Sequence, residues 1–168
     1  METNTTMATG MPVPGLLQAT RAIAAFAKSK SRRITEIIIH CSATPAGRDV
    51  RSADIRRWHT SERGFADIGY HFVVCLDGTI EAGRPLQQPG AHCIGHNRHS
   101  IGICYAGGTD NNGNPADTRT APQKRAMTAL IAAITTRLCG TAVRGHRDFA
   151  PKACPCFDAT SEYAPHNL

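Results

Sequence analysis

Gly145-His146-Arg147-Asp148-Phe149-Ala150-Pro151-Lys152-Ala153-Cys154-Pro155-Cys156-Phe157-Asp158 places an imidazole, an ammonium and a thiol within a few residues of one another. Pro151 and Pro155 fix φ and remove backbone donors, so the segment is expected to be a stiff loop that holds its side chains in place. Imidazole and thiolate are the groups Zn²⁺ takes most readily, and a nearby lysine can stabilise developing negative charge. Two ligands do not make a site. The best third candidate is His40, which ends the run Thr35-Glu36-Ile37-Ile38-Ile39. Three protein ligands leave the fourth zinc position to water, as in catalytic sites. The residues point to a metallohydrolase.

Working outward from that loop, Ala142-Val143-Arg144 reads as a short strand delivering His146. Thr120 is expected to cap a long helix to Leu138, with Met127, Leu130, Ile131, Ile134 and Leu138 at core-facing spacing and Gly140 ending it. Ser100 to Tyr105 is a strand, preceded by a long loop of glycine, proline and histidine over 83–99. Gly69 to Leu76, the turn Asp77-Gly78 and Thr79 to Ala82 form a hairpin. Ser52 is expected to cap a helix through Arg63, with Gly64 stopping it. Thr35 to His40 is apolar enough for a sheet centre. The expectation is an α/β fold: a single central mixed β-sheet of about five strands flanked by helices.

A chain of 168 residues with 41% hydrophobic content suits one soluble domain. No run reaches the roughly 20 apolar residues of a membrane span. The start Met1-Glu2-Thr3-Asn4 lacks a basic region, and Leu16 to Ala27 is broken by Gln18, Thr20 and Arg21. No cleavable signal is expected, which places the chain in the cytoplasm of the producing cell. Seven cysteines, an odd number without framework spacing, read as reduced thiols.

Residues 1–33 carry five basic side chains against Glu2, and hold most of the net charge of +6. Basicity confined to an extension argues against nucleic acid as a partner. The expected organisation is therefore an extension over 1–33 and a catalytic domain over 34–168. Residues 1–15 read as a mobile or draped tail. Residues 16–30 read as a basic amphipathic helix with Leu16, Ala19, Ile23, Phe26 and Ala27 on one face. Docking on the domain is the favoured reading of that face, and an anionic envelope surface is the alternative.

The segments Ile39-His40-Cys41-Ser42-Ala43-Thr44, Ile55-Arg56-Arg57-Trp58-His59, Gly69-Tyr70-His71-Phe72, Asp77-Gly78-Thr79-Ile80-Glu81-Ala82-Gly83-Arg84, Ser100-Ile101-Gly102-Ile103 and Ala150-Pro151-Lys152-Ala153-Cys154-Pro155 run in one order across residues 34 to about 163. In them the chain resembles the zinc-dependent N-acetylmuramoyl-L-alanine amidases, which share a fold with peptidoglycan recognition proteins. The likeness is strongest to the amidase-type lysozymes of tailed bacteriophages. It implies hydrolysis of the amide between N-acetylmuramic acid and L-alanine, on the cell wall after release, by a monomer. It also implies one Zn²⁺ per chain, held by His40, His146 and Cys154, in agreement with the choice made from the residues. Tyr70 and Lys152 match catalytic helpers, Tyr70 being the expected base or proton shuttle. His92 and Asn97 match a groove-lining loop. Cys104 stands where many cytosolic relatives carry a glutamate. A cytosolic muropeptide-recycling amidase and a non-catalytic recognition module are the alternative readings.

Plain readings belong beside these. Trp58 is a candidate substrate contact, with a core anchor as the favoured reading. His71 is expected to face away from Tyr70 into the core or behind the site, and His96, His99 and His166 to be solvated. Cys156 competes with Cys154 as ligand, and Cys154 is favoured. Cys41, Cys75, Cys93, Cys104 and Cys139 read as small buried hydrophobes.

Overall fold

The computed structural model describes residues 10–166. Most of the tail expected over 1–15 therefore lies outside the described residues. In chain order the elements are α1 (Leu16–Ser29), β1 (Glu36–Cys41), β2 (Thr44–Pro45), α2 (Ser52–Arg57), β3 (Phe72–Val74), β4 (Ile80–Ala82), β5 (Ser100–Tyr105), β6 (Gly108–Thr109), α3 (Ala121–Arg137), β7 (Ala142–Gly145) and α4 (Ala159–Glu162). Five strands form one mixed sheet in the order β4-β3-β5-β1-β7, and β2 pairs with β6 in a small separate ladder. β1 runs parallel to β5 and β7, β3 runs parallel to β5, and the hairpin partner β4 is antiparallel. Among the described residues, no helix is long and apolar enough to cross a membrane.

Ile37, Ile38 and Ile39 are fully buried, because the middle of a strand with neighbours on both edges and helices on both faces is closed to water. Alternation then divides β1. Ile37, Ile39 and Cys41 enter the main core with Met127, Leu130, Ile131 and Ile134 of α3. His40 lies on the opposite face, in register with Cys104 of β5, which belongs to the smaller core with Val50, Ile55 and Ile68. Thr120 caps α3 as expected: its hydroxyl accepts from the Gln123 N–H, and the Gln123 side chain accepts from the Thr120 N–H.

α1 is docked. Ala19, Ile23 and Phe26 are buried in the main core against α3 and β4, so the apolar face weighed for an envelope surface is covered by protein. Ahead of it, the Pro14 carbonyl accepts from the Ile80 N–H at 2.9 Å and caps part of the open edge of β4.

Three expectations change in detail. The helix from Ser52 to Arg63 is a six-residue α2 followed by a π-helical turn over Trp58–Glu62, with Arg51 as the cap and Ser52 its first residue. The wider turn accompanies burial of His59, whose Nδ1 accepts from the Gly69 N–H at 2.9 Å. The Gly69 N–H is thereby withdrawn from any ladder and its carbonyl binds Ala91, so β3 starts only at Phe72. Cys139 is exposed, not buried, because it falls beyond the end of α3.

Candidate active site

His40 reaches the carboxyl end of β1 with 1% of its surface exposed. β7 ends at Gly145 and hands the chain directly to His146. The proline-containing loop then returns Cys154. The Arg147 N–H donates to the Cys154 carbonyl at 2.7 Å, and the buried Tyr105 hydroxyl donates to the Pro155 carbonyl at 2.7 Å. Behind that loop the Arg119 guanidinium stacks on Phe157 at 3.2 Å and pairs with Asp117 and Glu162. The stiff loop expected from two prolines is thus clamped at both ends. The ligand-capable atoms of His40, His146 and Cys154 all lie within 4.8 Å of one another.

The donor set has one internally consistent protonation pattern. His40 Nδ1 faces Cys154 Sγ at 3.9 Å, while His40 Nε2 lies 2.9 Å from His92 Nδ1. His92 Nε2 lies 3.3 Å from Ser100 Oγ, and the Ser100 hydroxyl donates to the His96 carbonyl at 2.8 Å. That last acceptor can only accept, so the protons run one way: His40 Nε2–H to His92, His92 Nε2–H to Ser100, Ser100 O–H to His96. His40 Nδ1 is left with its lone pair towards Cys154 and His146, as a metal ligand requires. Burial, together with the neighbouring His92, His146 and Lys152, pushes the His40 pKa well below the usual histidine value, and burial and Lys152 lower His146. Both imidazoles are neutral at pH 7. The Cys41 N–H donates to Cys154 Sγ at 3.3 Å. Two neutral imidazoles and a thiol with a donor behind it fit a single zinc-like ion.

Tyr70 sits half-buried with its ring 5.0 Å from that of His40 and 5.4 Å from that of His59. Burial raises its phenol well above the ordinary tyrosine value, so it carries its proton at neutral pH. Lys152 is exposed at the rim. His71 does face the core: its Nδ1 accepts from the Gly102 N–H and its Nε2 donates to the Gln88 carbonyl.

Of the two loop residues expected to line a groove, His92 lies behind the donor set, and Asn97 borders a cavity on another side of the domain. His92 is buried behind His40 with both ring nitrogens engaged, in a space that exists because Gly102 has no side chain; a Cβ there would lie 2.6 Å from the ring. Asn97 turns its Oδ1 inward to accept from the His92 and Cys93 N–H groups. Trp58 packs against the smaller core beneath Arg48, at the position of a core anchor. His96 is not simply solvated: it bonds Glu36 at 2.9 Å and stacks on Phe149 at 3.9 Å. Ser100, at the end of the proton chain, opens β5 and the segment Ser100-Ile101-Gly102-Ile103, and neither signals a place behind His92. A cavity of about 610 Å³ lined by Ser31, Arg33, Gln87 and Arg98 lies before the starts of β1 and β5, away from the donor set, and holds none of its residues.

An α/β domain that presents two imidazoles and a thiol able to hold a metal ion, at the carboxyl end of its central strands, is the class these observations define. Residues 30–157 match the family model described as N-acetylmuramoyl-L-alanine amidase, and the chain belongs to that family. Over 130 residues it is 43% identical to the endolysin of Klebsiella phage KP32, covering 77% of this chain and 85% of that one, and 42% identical to the endolysin of Escherichia phage T7 with the same coverage. Among solved structures, the endolysin amidase LysCS from Clostridium intestinale superposes with a TM-score of 0.68 at 26% identity, over 82% of this chain and 86% of that one. Drosophila PGRP-LB superposes with a TM-score of 0.68 at 28% identity, over 82% and 84% of the two chains.

Proposed function

We propose that this protein hydrolyses the amide bond between N-acetylmuramic acid and L-alanine in peptidoglycan, as an endolysin that meets the wall after release, with one zinc ion held by His40, His146 and Cys154. The observation that carries the reading is the convergence of those three donors within 4.8 Å, from the end of β1 and the segment that follows β7, in a chain of the amidase family. When bound, zinc supplies a Lewis acid and a water of lowered pKa. The chain's own residues do the rest. His92 holds His40 in the tautomer that keeps Nδ1 free. Tyr70, its ring 5.0 Å from that of His40 and its phenol held protonated by burial, orients oxygen at the reacting centre or shuttles its proton. The Lys152 ammonium, at the rim, stabilises the oxyanion that forms on the lactyl carbonyl. Cys104, fully buried and in register with His40, offers no carboxylate, which favours the endolysin over the recycling enzyme.

Dye release from purified peptidoglycan tests this. Activity should disappear on chelation, return with zinc, and be absent in Cys154→Ala. Wall binding without turnover under any metal would overturn the assignment in favour of a recognition module.

A further inference from the structure

Behind the donor set lies a second pair of sulfurs that the reaction does not use. Cys41, the last residue of β1, points away from His40 into the main core and is 6% exposed. Cys156 lies in the clamped loop, half-buried, with its backbone at φ +70°. Their Sγ atoms are 3.8 Å apart, in direct contact. Both thiols meet over Gly108: Cys156 donates to its carbonyl at 3.2 Å, and a Cβ on it would lie 2.5 Å from Cys41 Sγ. The missing side chain at 108 is what lets the sulfurs converge. Cys154 directs its sulfur to His40 Nδ1 and the Cys41 N–H and also lies beside the Cys41 thiol, whose pKa it raises. Cys75, Cys93 and Cys104 are buried, and Cys139 is exposed at the end of α3.

We infer that Cys41 and Cys156 are an oxidisable dithiol, closed to an intramolecular disulfide by low-molecular-weight disulfides, and that this staple ties the metal-binding loop to the end of β1 without consuming Cys154. With glutathione disulfide as oxidant, the sulfur of the more accessible Cys156 attacks first, and its proton passes to the glutathione that leaves. One glutathione leaves with the electron pair of the broken S–S bond, and Cys156 carries the other as a mixed disulfide. Cys41 then attacks the Cys156 sulfur and expels the second glutathione. Two protein thiols are oxidised, one glutathione disulfide is reduced to two thiols, and the two protein thiol protons end on the released glutathiones. A reducing compartment leaves the pair open, and an oxidising one closes it. The closed form bridges residues 115 apart in sequence. Constraint of so long a loop raises the melting temperature by about 5–15 °C.

The test incubates the full-length, zinc-loaded protein with glutathione disulfide, then measures intact mass, the linked peptides and the melting temperature with and without reductant. The expected result is loss of two hydrogens, a Cys41–Cys156 peptide pair, and a melting increase that dithiothreitol reverses. Cys156→Ser should abolish all three while its reduced form keeps wild-type activity. Unchanged mass, a link through Cys154, or a glutathione adduct on Cys156 that never resolves would each overturn the inference. Because Cys156→Ser changes a half-buried loop position, the result does not depend on whether Cys41→Ser folds.

Discussion

Replacing His92 by alanine removes the only acceptor described for the His40 Nε2–H, in a position where His40 is 1% exposed. The stranded donor should cost about 1–3 kcal/mol of stability even without metal. The second effect falls on ligation. With its acceptor gone, His40 is no longer held in the Nε2–H tautomer, and the proton can occupy the Nδ1 that a metal needs. Loss of such a supporting partner typically weakens metal binding about 10–100-fold, or roughly 1.4–2.8 kcal/mol. Zinc affinity by competition with a chromophoric chelator, and melting of the metal-free protein, read the two effects separately. His92→Asn can place an oxygen where Nδ1 sits and should recover part of both. An alanine variant that binds zinc as tightly as the native protein and melts at the same temperature would refute the proton chain from His40 to Ser100.

Further outcomes follow from the same contacts. Gly102→Ala drives a methyl to within 2.6–2.8 Å of the His92 ring and should cost about 1–3 kcal/mol, with a fall in zinc affinity in the same direction as His92→Ala; denaturant titration and the same chelator competition measure it. Arg119→Ala removes a buried guanidinium that clamps the loop behind Cys154. Its carboxylate partners are partly exposed, so the loss in urea unfolding should be about 2–4 kcal/mol, below that of a wholly buried pair. His59 and His71 are held down to about 4, chiefly by burial, against 6.5 when unfolded. The unfolded chain therefore takes up more protons between those values. The stability due to these residues is complete above pH 6.5 and is lost as pH falls towards 4, by roughly 2–3 kcal/mol for His71. Urea midpoints that stay level between pH 7 and pH 4.5 would contradict this.

What could be read ahead of the coordinates follows from how local each cause is. The bounds of α3 were legible because a threonine three residues before a glutamine carries its own cap, and the spacing of Met127, Leu130, Ile131 and Ile134 leaves one face to bury. The docking of α1 was legible in the same way, though its partners were not. His40, His146 and Cys154 could be named because few side chains bind metals well, and their placement on a strand end and a proline loop limits where they can point. The role of His92 was not legible. It depends on a glycine in β5 leaving room for a ring, and on a bond between residues 52 apart. The π-helical turn at Trp58 escaped for a similar reason: its width accompanies the burial of His59 on Gly69, not any propensity of its own residues.

The parallel pairing of β1 with β5 and β7 also sets a schedule for synthesis. β1 is among the first elements to leave the ribosome, yet its two neighbours are encoded at residues 100–105 and 142–145, and Cys154 comes 114 residues after His40. Until that last loop emerges, His40 lacks the third member of its proposed donor set. On the proposed ligand set, a chain that ends before Cys154 lacks one of its three donors even though its five-stranded sheet is already complete.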